Sequence, residues 1–199
     1  MDQLTDGRLT LGVGIGWRTS DYQLTGRTFD DRGQRFDEQL GDLRRAWAGE
    51  LLAEGTAPVG PAPVQQPGIP LLIGGMADAS FRRVAEFGVG WTAGGLPPAA
   101  LASPIEKAQA AWQGAGRSGR ARIVALAYFS LGDTEEDSRR YYGPMGADTG
   151  QMIAGSALRS ADAVSGAVGA FADAGVDELV LVPTVSDPDQ VEMLAQAAL

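Results

Sequence analysis

The sequence contains no cysteine and no histidine. Without cysteine there is no disulfide, no thiolate nucleophile and no zinc–cysteine site. Without histidine neither a Ser-His-Asp triad nor an imidazole metal ligand can form. Acid–base chemistry is left to carboxylates, tyrosines, a cofactor, another chain, or Lys107, the one lysine among 16 basic residues. Positive charge is scarce as well: 25 acidic residues against 16 basic ones give a net charge of −9. That balance disfavours nucleic acid as a partner, because phosphate binding needs a basic surface. No apolar run approaches the ~18 residues of a membrane span. No basic patch leads into a hydrophobic core at the N-terminus, so no signal peptide is predicted and a cytoplasmic location is expected.

What is present is ordinary globular composition, 44% apolar and 21% charged over 199 residues. That length predicts a single domain spanning residues 1–199, able to bury roughly 70% of its unfolded surface. The apolar spacing predicts a strand at Gly7–Gly14 and a helix from about Asp30 to Trp47, with Phe36, Leu40, Leu43 and Trp47 on one face. A Pro- and Gly-rich loop follows at Gly49–Gly68, then a buried strand at Pro70–Gly75 and a helix over Ala77–Phe87. Gly90–Gly95 is a weak third strand, Pro98–Gln113 a helix, and Ala121–Leu131 the clearest strand. Asp133 with Glu136 predicts a capped helix, and a second helix begins near Asp148. Ser160–Ala174 is a helix with Val164, Ala167, Val168 and Phe171 on one face and Gly175 as its stop. A last strand at Asp177–Pro183 and a terminal helix after Ser186–Pro188, carrying Val191 and Leu194, complete five βα units. Strict alternation means a parallel sheet with right-handed crossovers. Five units fit a doubly wound sheet or part of an eight-stranded barrel.

Two glycine clusters invite a functional reading. In GRLTLGVGIGW (Gly7–Trp17) the glycines at 12, 14 and 16 form G-x-G-x-G, and the next helix waits until about residue 30. A dinucleotide fingerprint needs G-x-G-x-x-G running straight into a helix, so this segment is read as a strand that admits close backbone approach. In IGGMADAS, Gly74 and Gly75 end a strand and Met76–Ala79 begin a helix, a place where free N–H groups and the helix dipole favour a phosphate. The same glycines would also serve a plain tight turn. Acid pairs at Asp30–Asp31 and at 133–137 sit in first turns and are read as helix capping. Asp37 and Glu38 are read as helix-surface ion pairs. Among the tryptophans, Trp17 and Trp91 lie near strand ends, where either can meet a flat ligand.

The blocks GRLTLGVGIGW, FDDRGQRFDEQLGDLRRAW and PLLIGGMADASFRRVAEFGVGW resemble the luciferase-like monooxygenase family. The most specific piece is F-x-x-R-G-x-R-x-D-E-x-L, at Phe29, Arg32, Gly33, Arg35, Asp37, Glu38 and Leu40. The resemblance implies a partial TIM (β/α)8 barrel of α/β class, in which these five parallel βα units are strands four to eight. It implies coenzyme F420 or FMN as cofactor and a small organic substrate. It places cofactor contacts at Ile15, Gly16 and Ser20 after the first strand, and at Gly74, Gly75, Met76 and Ala77 for the phosphate. Trp91 and Thr92 would lie at the end of the third strand. Val89 stands where the family usually has an acid. The family's acid–base residues belong to the preceding part of the barrel, so no catalytic residue is nominated. Exposed sheet edges predict a homo-oligomer. The alternative is an inactive, flavin-binding or oligomerising remnant.

Overall fold

The structure is a computed structural model and describes residues 1–132, 135–143 and 146–198. These group into two units, one of Met1–Thr92 with Lys107–Ala121, the other of Ala93–Glu106 with the residues from Arg122 onward.

In the first unit, β1 (Leu11–Val13), β2 (Leu71–Gly74) and β3 (Gly90–Thr92) pair in parallel and in chain order. Leu71, Leu72 and Ile73 are all buried, as a strand covered on both faces requires. β1 is shorter than its apolar pattern predicts. Asp6 and Gly7 take left-handed conformations (φ 50° and 72°) that close a 3-10 turn at Gln3–Thr5 instead of opening a strand.

A short helix, α1 (Thr19–Leu24), follows β1 and has no buried residue, so no periodicity announces it. α2 (Arg32–Trp47) buries Phe36 and Leu40 as its spacing predicts. It ends where Gly49, at φ 78°, donates to the Ala46 carbonyl over 3.1 Å. The irregular segment over residues 49–68 is fastened at several places, among them Gln3 to the Ala62 carbonyl (3.1 Å) and Arg45 to the Leu51 carbonyl (2.7 Å). The Asp2 carboxylate accepts from the Val64 N–H (2.7 Å), the Gln65 N–H (3.2 Å) and the Gln65 side chain (2.8 Å). Gly68 lies so close to Trp47 that a Cβ there would come within 2.6 Å of the indole.

α3 (Asp78–Phe87) buries Ser80, Phe81, Val84 and Ala85 and also Arg83. The Arg83 Nε and Nη2 donate to the two oxygens of Asp37 over 2.6 and 3.0 Å, and Nη2 also donates to the Gly33 carbonyl at 2.8 Å. Asp37 therefore pairs across to α3 and not along its own helix. The Arg83 guanidinium beside it holds its carboxyl below the usual carboxylate range, against the opposing effect of partial burial. The second half of α4 (Ala102–Gly114) belongs to this unit, with Trp112 buried and its indole N–H bound to the Ser118 carbonyl at 3.0 Å.

In the second unit, Ala93 and Gly94 bond β4 (Arg122–Phe129) at Val124 and Leu126. β4 and β5 (Glu178–Pro183) run parallel, Val124 opposite Glu178 and Phe129 opposite Pro183. Helices α5 (Glu135–Tyr142), α6 (Ala147–Ser156) and α7 (Ala161–Asp173) lie between these strands in the chain, and α8 (Asp189–Ala198) follows β5. Asp133, the expected cap of α5, lies outside the described residues. Ser160 caps α7 by accepting from the Ala163 N–H, and Gly175 stops the chain's helical course at φ 89°. Phe129, Leu131 and Val164 form a core, joined by Leu158, Leu181 and Leu194. Val168, predicted on the same face as Val164, is instead exposed, because the buried stripe of α7 runs through Val164 and Phe171 and leaves Val168 at its side. Val191 is exposed as well. The Gln190 side chain, 2% exposed, accepts from the Leu131 N–H (2.7 Å) and donates to the Leu131 carbonyl (3.0 Å), supplying both bonds a neighbouring strand would make. Ser138 of α5 is buried against Thr184 (2.6 Å) and Ser130 (3.3 Å), just past the ends of β5 and β4.

Candidate cofactor and ligand site

All nine residues predicted to touch a cofactor belong to the first unit. They fall into two groups at the C-terminal ends of β1, β2 and β3. The first is the turn from β2 into α3. Gly74 pairs with Thr92 in the strand register, and a Cβ at Gly74 would lie 3.4 Å from the Thr92 methyl. Gly75 takes φ 115°, and a Cβ there would fall 2.5 Å from the Ser80 hydroxyl. Both position and conformation demand glycine. Met76 and Ala77 are exposed. Ala77 stands at the N-cap of α3 and offers no side chain to the helix's first N–H groups. The only acid of the first turn, Asp78, is bound to the Lys107 ammonium at 2.9 Å, so its charge is matched. A bare, positively polarised helix start therefore faces outward at Gly75–Asp78.

Trp91 does not lie where a flat ligand would reach it. It is wholly buried against Phe81, and its indole N–H donates to the Gly75 carbonyl over 2.9 Å. It acts on the site through that glycine, holding the turn in its left-handed conformation. The sequence signal for this was the Trp itself, a large side chain with one donor that a buried position must satisfy.

The second group surrounds the end of β1. Ile15 and Gly16 line a cleft of about 600 Å³ with Gly14, and Gly16 has φ 69°. A Cβ at Gly12 or Gly16 would meet nothing within 4 Å, and one at Gly14 would meet only the Gly74 Cα at 4.0 Å. The backbones of the two groups thus adjoin at Gly14 and Gly74, over open space. The Ile15 carbonyl is held by the Tyr22 hydroxyl, whose ring packs edge-on against Phe29 at 5.2 Å between centroids. Ser20 sits exposed on α1 and is not part of the cleft wall. Trp17 is 68% exposed beside Gly16.

The opposite wall carries residues that no motif had marked for binding: Arg27, Arg32 and Arg35. Arg35 is paired with Asp31 at 2.9 Å and with the Thr28 carbonyl at 2.8 Å. Arg32 lies over the Phe29 ring at 3.7 Å and donates from Nη1 to the Phe29 carbonyl, while its Nε is buried without a hydrogen-bond partner. Three basic residues within nine positions, in a chain of net charge −9, were the legible sign. Among the described residues no group of three metal-ligating side chains occurs, and no helix is long and apolar enough to cross a membrane.

A family model described as luciferase-like monooxygenase matches residues 1–196. The uncharacterized protein Rv0953c of Mycobacterium tuberculosis H37Rv is 33% identical over 135 residues, covering 63% of this chain and 47% of that protein. The chain thus spans about half the length of the curated relatives it matches. Among solved structures, the monooxygenase RslO1 from Streptomyces bottropensis superposes with a TM-score of 0.73 at 20% identity, over 98% of this chain and 68% of that one. An F420-dependent secondary alcohol dehydrogenase, solved with an F420–acetone adduct, gives 0.74 at 16% identity, over 98% and 70%. These likenesses show the fold: α/β, five parallel strands forming part of a TIM barrel. The pairing of strands in chain order agrees with it, since a doubly wound sheet reverses its order at a switch point.

Proposed function

The chain belongs to the luciferase-like monooxygenase family, and from that membership we propose that it forms the cofactor-binding part of an oxidoreductase using F420 or FMN on a small organic substrate. The observation that carries the proposal is the bare α3 N-terminus behind Gly75, held in shape by Trp91. N–H groups at Gly75–Ala77 and the α3 dipole would hold the cofactor phosphate. Gly12 of β1 and Gly14 and Gly16 just past it leave open space where a ring system would fit. A Cβ at any of these three glycines would narrow that space. When bound, the flavin or deazaflavin ring supplies the hydride acceptor or donor, and the protein supplies position and electrostatics. No side chain of this chain is assigned a proton-transfer role. The exposed edge of β1, which pairs only with β2 among the described residues, supports self-association of copies. The reading as an inactive remnant is not favoured.

Fluorescence titration of the purified chain with FMN and with F420 tests the proposal. Saturable quenching by one of them is expected. Ala77→Asp, which places a carboxylate at the N-cap, is expected to weaken it at least ~10-fold by filling the N–H groups and repelling the phosphate. Absence of saturable binding of either cofactor on the order of tens of micromolar, some 6 kcal/mol of affinity, refutes it.

A further inference from the structure

We propose that residues 17–25 are a flap, hinged at Gly16 and Gly26 and latched by Tyr22, that closes over a ligand lying on the glycines at the end of β1. The segment runs between two left-handed glycines, Gly16 at φ 69° and Gly26 at φ 64°, and a Cβ at either would meet nothing within 4 Å. Such positions change their backbone angles without striking a neighbour. Between them, α1 buries no residue. Isolated helices shorter than about 12–15 residues are marginal in water, so a helix of six residues does not hold itself. The segment is only as fixed as its attachments.

Those attachments converge on one side chain. The Arg18–Asp21 pair (3.7 Å) and the bonds from the Thr25 hydroxyl to the Asp21 and Tyr22 carbonyls stay within the segment. The N–H groups of Gly26 and Arg27 close its end on the Gln23 and Tyr22 carbonyls. Among the described residues, every hydrogen bond, ion pair or ring contact from the segment to anything before Gly16 or after Arg27 belongs to Tyr22. Its hydroxyl donates to the Ile15 carbonyl, its ring meets Phe29 edge-on at 5.2 Å, and the Arg35 guanidinium lies 5.8 Å from its ring centroid. The receiving side is fixed independently: Phe29 carries the Arg32 guanidinium at 3.7 Å, and Arg35 is bound to Asp31 and to the Thr28 carbonyl. One latch thus docks a helix that cannot stand alone.

What the flap covers follows from its place. Asp21, Tyr22 and Thr25 line the cleft that Gly14, Ile15 and Gly16 also line, so undocking Tyr22 opens it along that wall. Trp17 and Leu24 are 68% and 87% exposed, and neither packs into the unit's core. Trp17 follows the hinge glycine directly, so rotation at Gly16 carries a flat apolar ring across the open space at Gly12, Gly14 and Gly16. Closure on a bound ligand takes that ring out of water. That the ligand is a flavin or deazaflavin rests on the proposed function; the latch and the hinges do not.

Amide hydrogen exchange of the full chain, read at Thr25, Gly26 and Arg27, tests the flap. These amides bond within the flap or back onto it, and they should be protected in the free chain. Tyr22→Phe, which deletes only the latching hydroxyl, should speed their exchange together by about 3- to 10-fold. Tyr22→Ala, which removes the ring as well, should speed it by at least ~30-fold. Gly16→Ala, strained at its positive φ, should also speed it, whereas Gly55→Ala, the same change at φ 74° in the loop over residues 49–68, should not. Exchange at the random-coil rate in the wild type, an unchanged rate in Tyr22→Phe, or a rise matched by the amides of β2 overturns the proposal. With FMN or F420 at saturation, protection at the three amides should grow at least ~10-fold, and Trp17→Ala should weaken binding about 3- to 10-fold. Binding without added protection overturns the closure and leaves the cofactor reading intact. No binding of either cofactor overturns that reading together with closure over it, while the latch stands or falls on the Tyr22→Phe result alone.

Discussion

Removing the Asp37 carboxylate should cost stability through Arg83, and the cost can be worked from the geometry. Asp37 accepts two charge-assisted bonds from Arg83, at 2.6 and 3.0 Å, and a third from Arg82 at 3.1 Å. The Arg83 side chain is 5% exposed and that of Asp37 32%. Hydrogen bonds to charged groups contribute roughly 1.5–3 kcal/mol each. Breaking a fully buried pair costs about 3–5 kcal/mol, because one charge is left uncompensated. Here the exposed third of Asp37 and the outward position of Arg82 lower the figure, and the bond from Arg83 to the Gly33 carbonyl survives. Asp37→Ala should therefore destabilise by about 2–4 kcal/mol, and Arg83→Met, which keeps the packing and leaves Asp37 near Arg82, by about 1–2 kcal/mol. In a double-mutant cycle the pair should show coupling of about 1.5–3 kcal/mol.

The pH dependence fixes the sign. The folded-state pKa of Asp37 is lowered by its bonds to Arg83. Its contribution is complete above the unfolded carboxylate value of about 3.9 and is lost as pH falls through the lowered folded value. Urea denaturation followed by tryptophan fluorescence should thus find the gap between wild type and Asp37→Ala full at neutral pH and closing in strong acid. Coupling below about 0.5 kcal/mol, or a gap that persists undiminished once the carboxylate is protonated, would refute the reasoning.

Gly75→Ala should cost about 1–3 kcal/mol, since φ 115° is strained for alanine and the new methyl meets the Ser80 hydroxyl; Ser80→Ala in the same chain should recover part of the loss in a melting experiment. Trp91→Phe removes the donor to Gly75 and part of a filled core site, an expected loss of about 2 kcal/mol, with weaker cofactor binding if the turn loosens. Gln190→Leu strands the N–H and carbonyl of Leu131, at roughly 1–3 kcal/mol for each buried group left unpaired; equal stability of the variant would show that water takes its place. Asp2 is held below its usual pKa chiefly by the Gln65 side chain. Its hold on the loop should be present above about pH 3.9 and fade as pH falls through the lowered value. Asp2→Ala should speed hydrogen exchange at Val64 and Gln65 near neutrality and match wild type in acid.

The helices and strands were legible wherever burial dictates a period. Phe36 and Leu40, or Phe81, Val84 and Ala85, repeat at helical spacing because one face of each helix is covered. Leu71–Ile73 is continuous because both faces of β2 are. α1 buries nothing, so its residues carry no period to read. Val168 sits beside the stripe of α7 that Val164 and Phe171 bury, an angular difference that spacing alone does not resolve. Charge was harder to place than apolarity. Asp37 and Glu38 look alike in sequence, yet Glu38 meets Gln34 of its own helix and Asp37 meets Arg83 of another. The difference lies in a turn of the helix relative to α3, which one-dimensional spacing does not contain. The strongest family pattern, around Phe29–Leu40, proves to be partly scaffolding: Asp37 ties two helices together and the Gly33 carbonyl accepts from Arg83, while Arg32 and Arg35 line a cleft. Trp91 was placed at the right strand end and the wrong side of it, because a strand's alternation assigns a face only once its register with β2 is known.

The two bonds that Gln190 makes to Leu131 join residues far apart in the order of synthesis, 59 positions from each other. The Leu131 backbone groups that they satisfy are made first, and their partner follows only after β5. A nascent chain that has reached β5 still lacks the amide that closes the β4 end and the α8 residue Leu194 that covers Phe129, Leu131 and Val164. The second unit therefore cannot complete its core as it emerges. That core closes only once α8 has been made, so a chain cut between β5 and α8 leaves the Leu131 amide and carbonyl without their Gln190 partner.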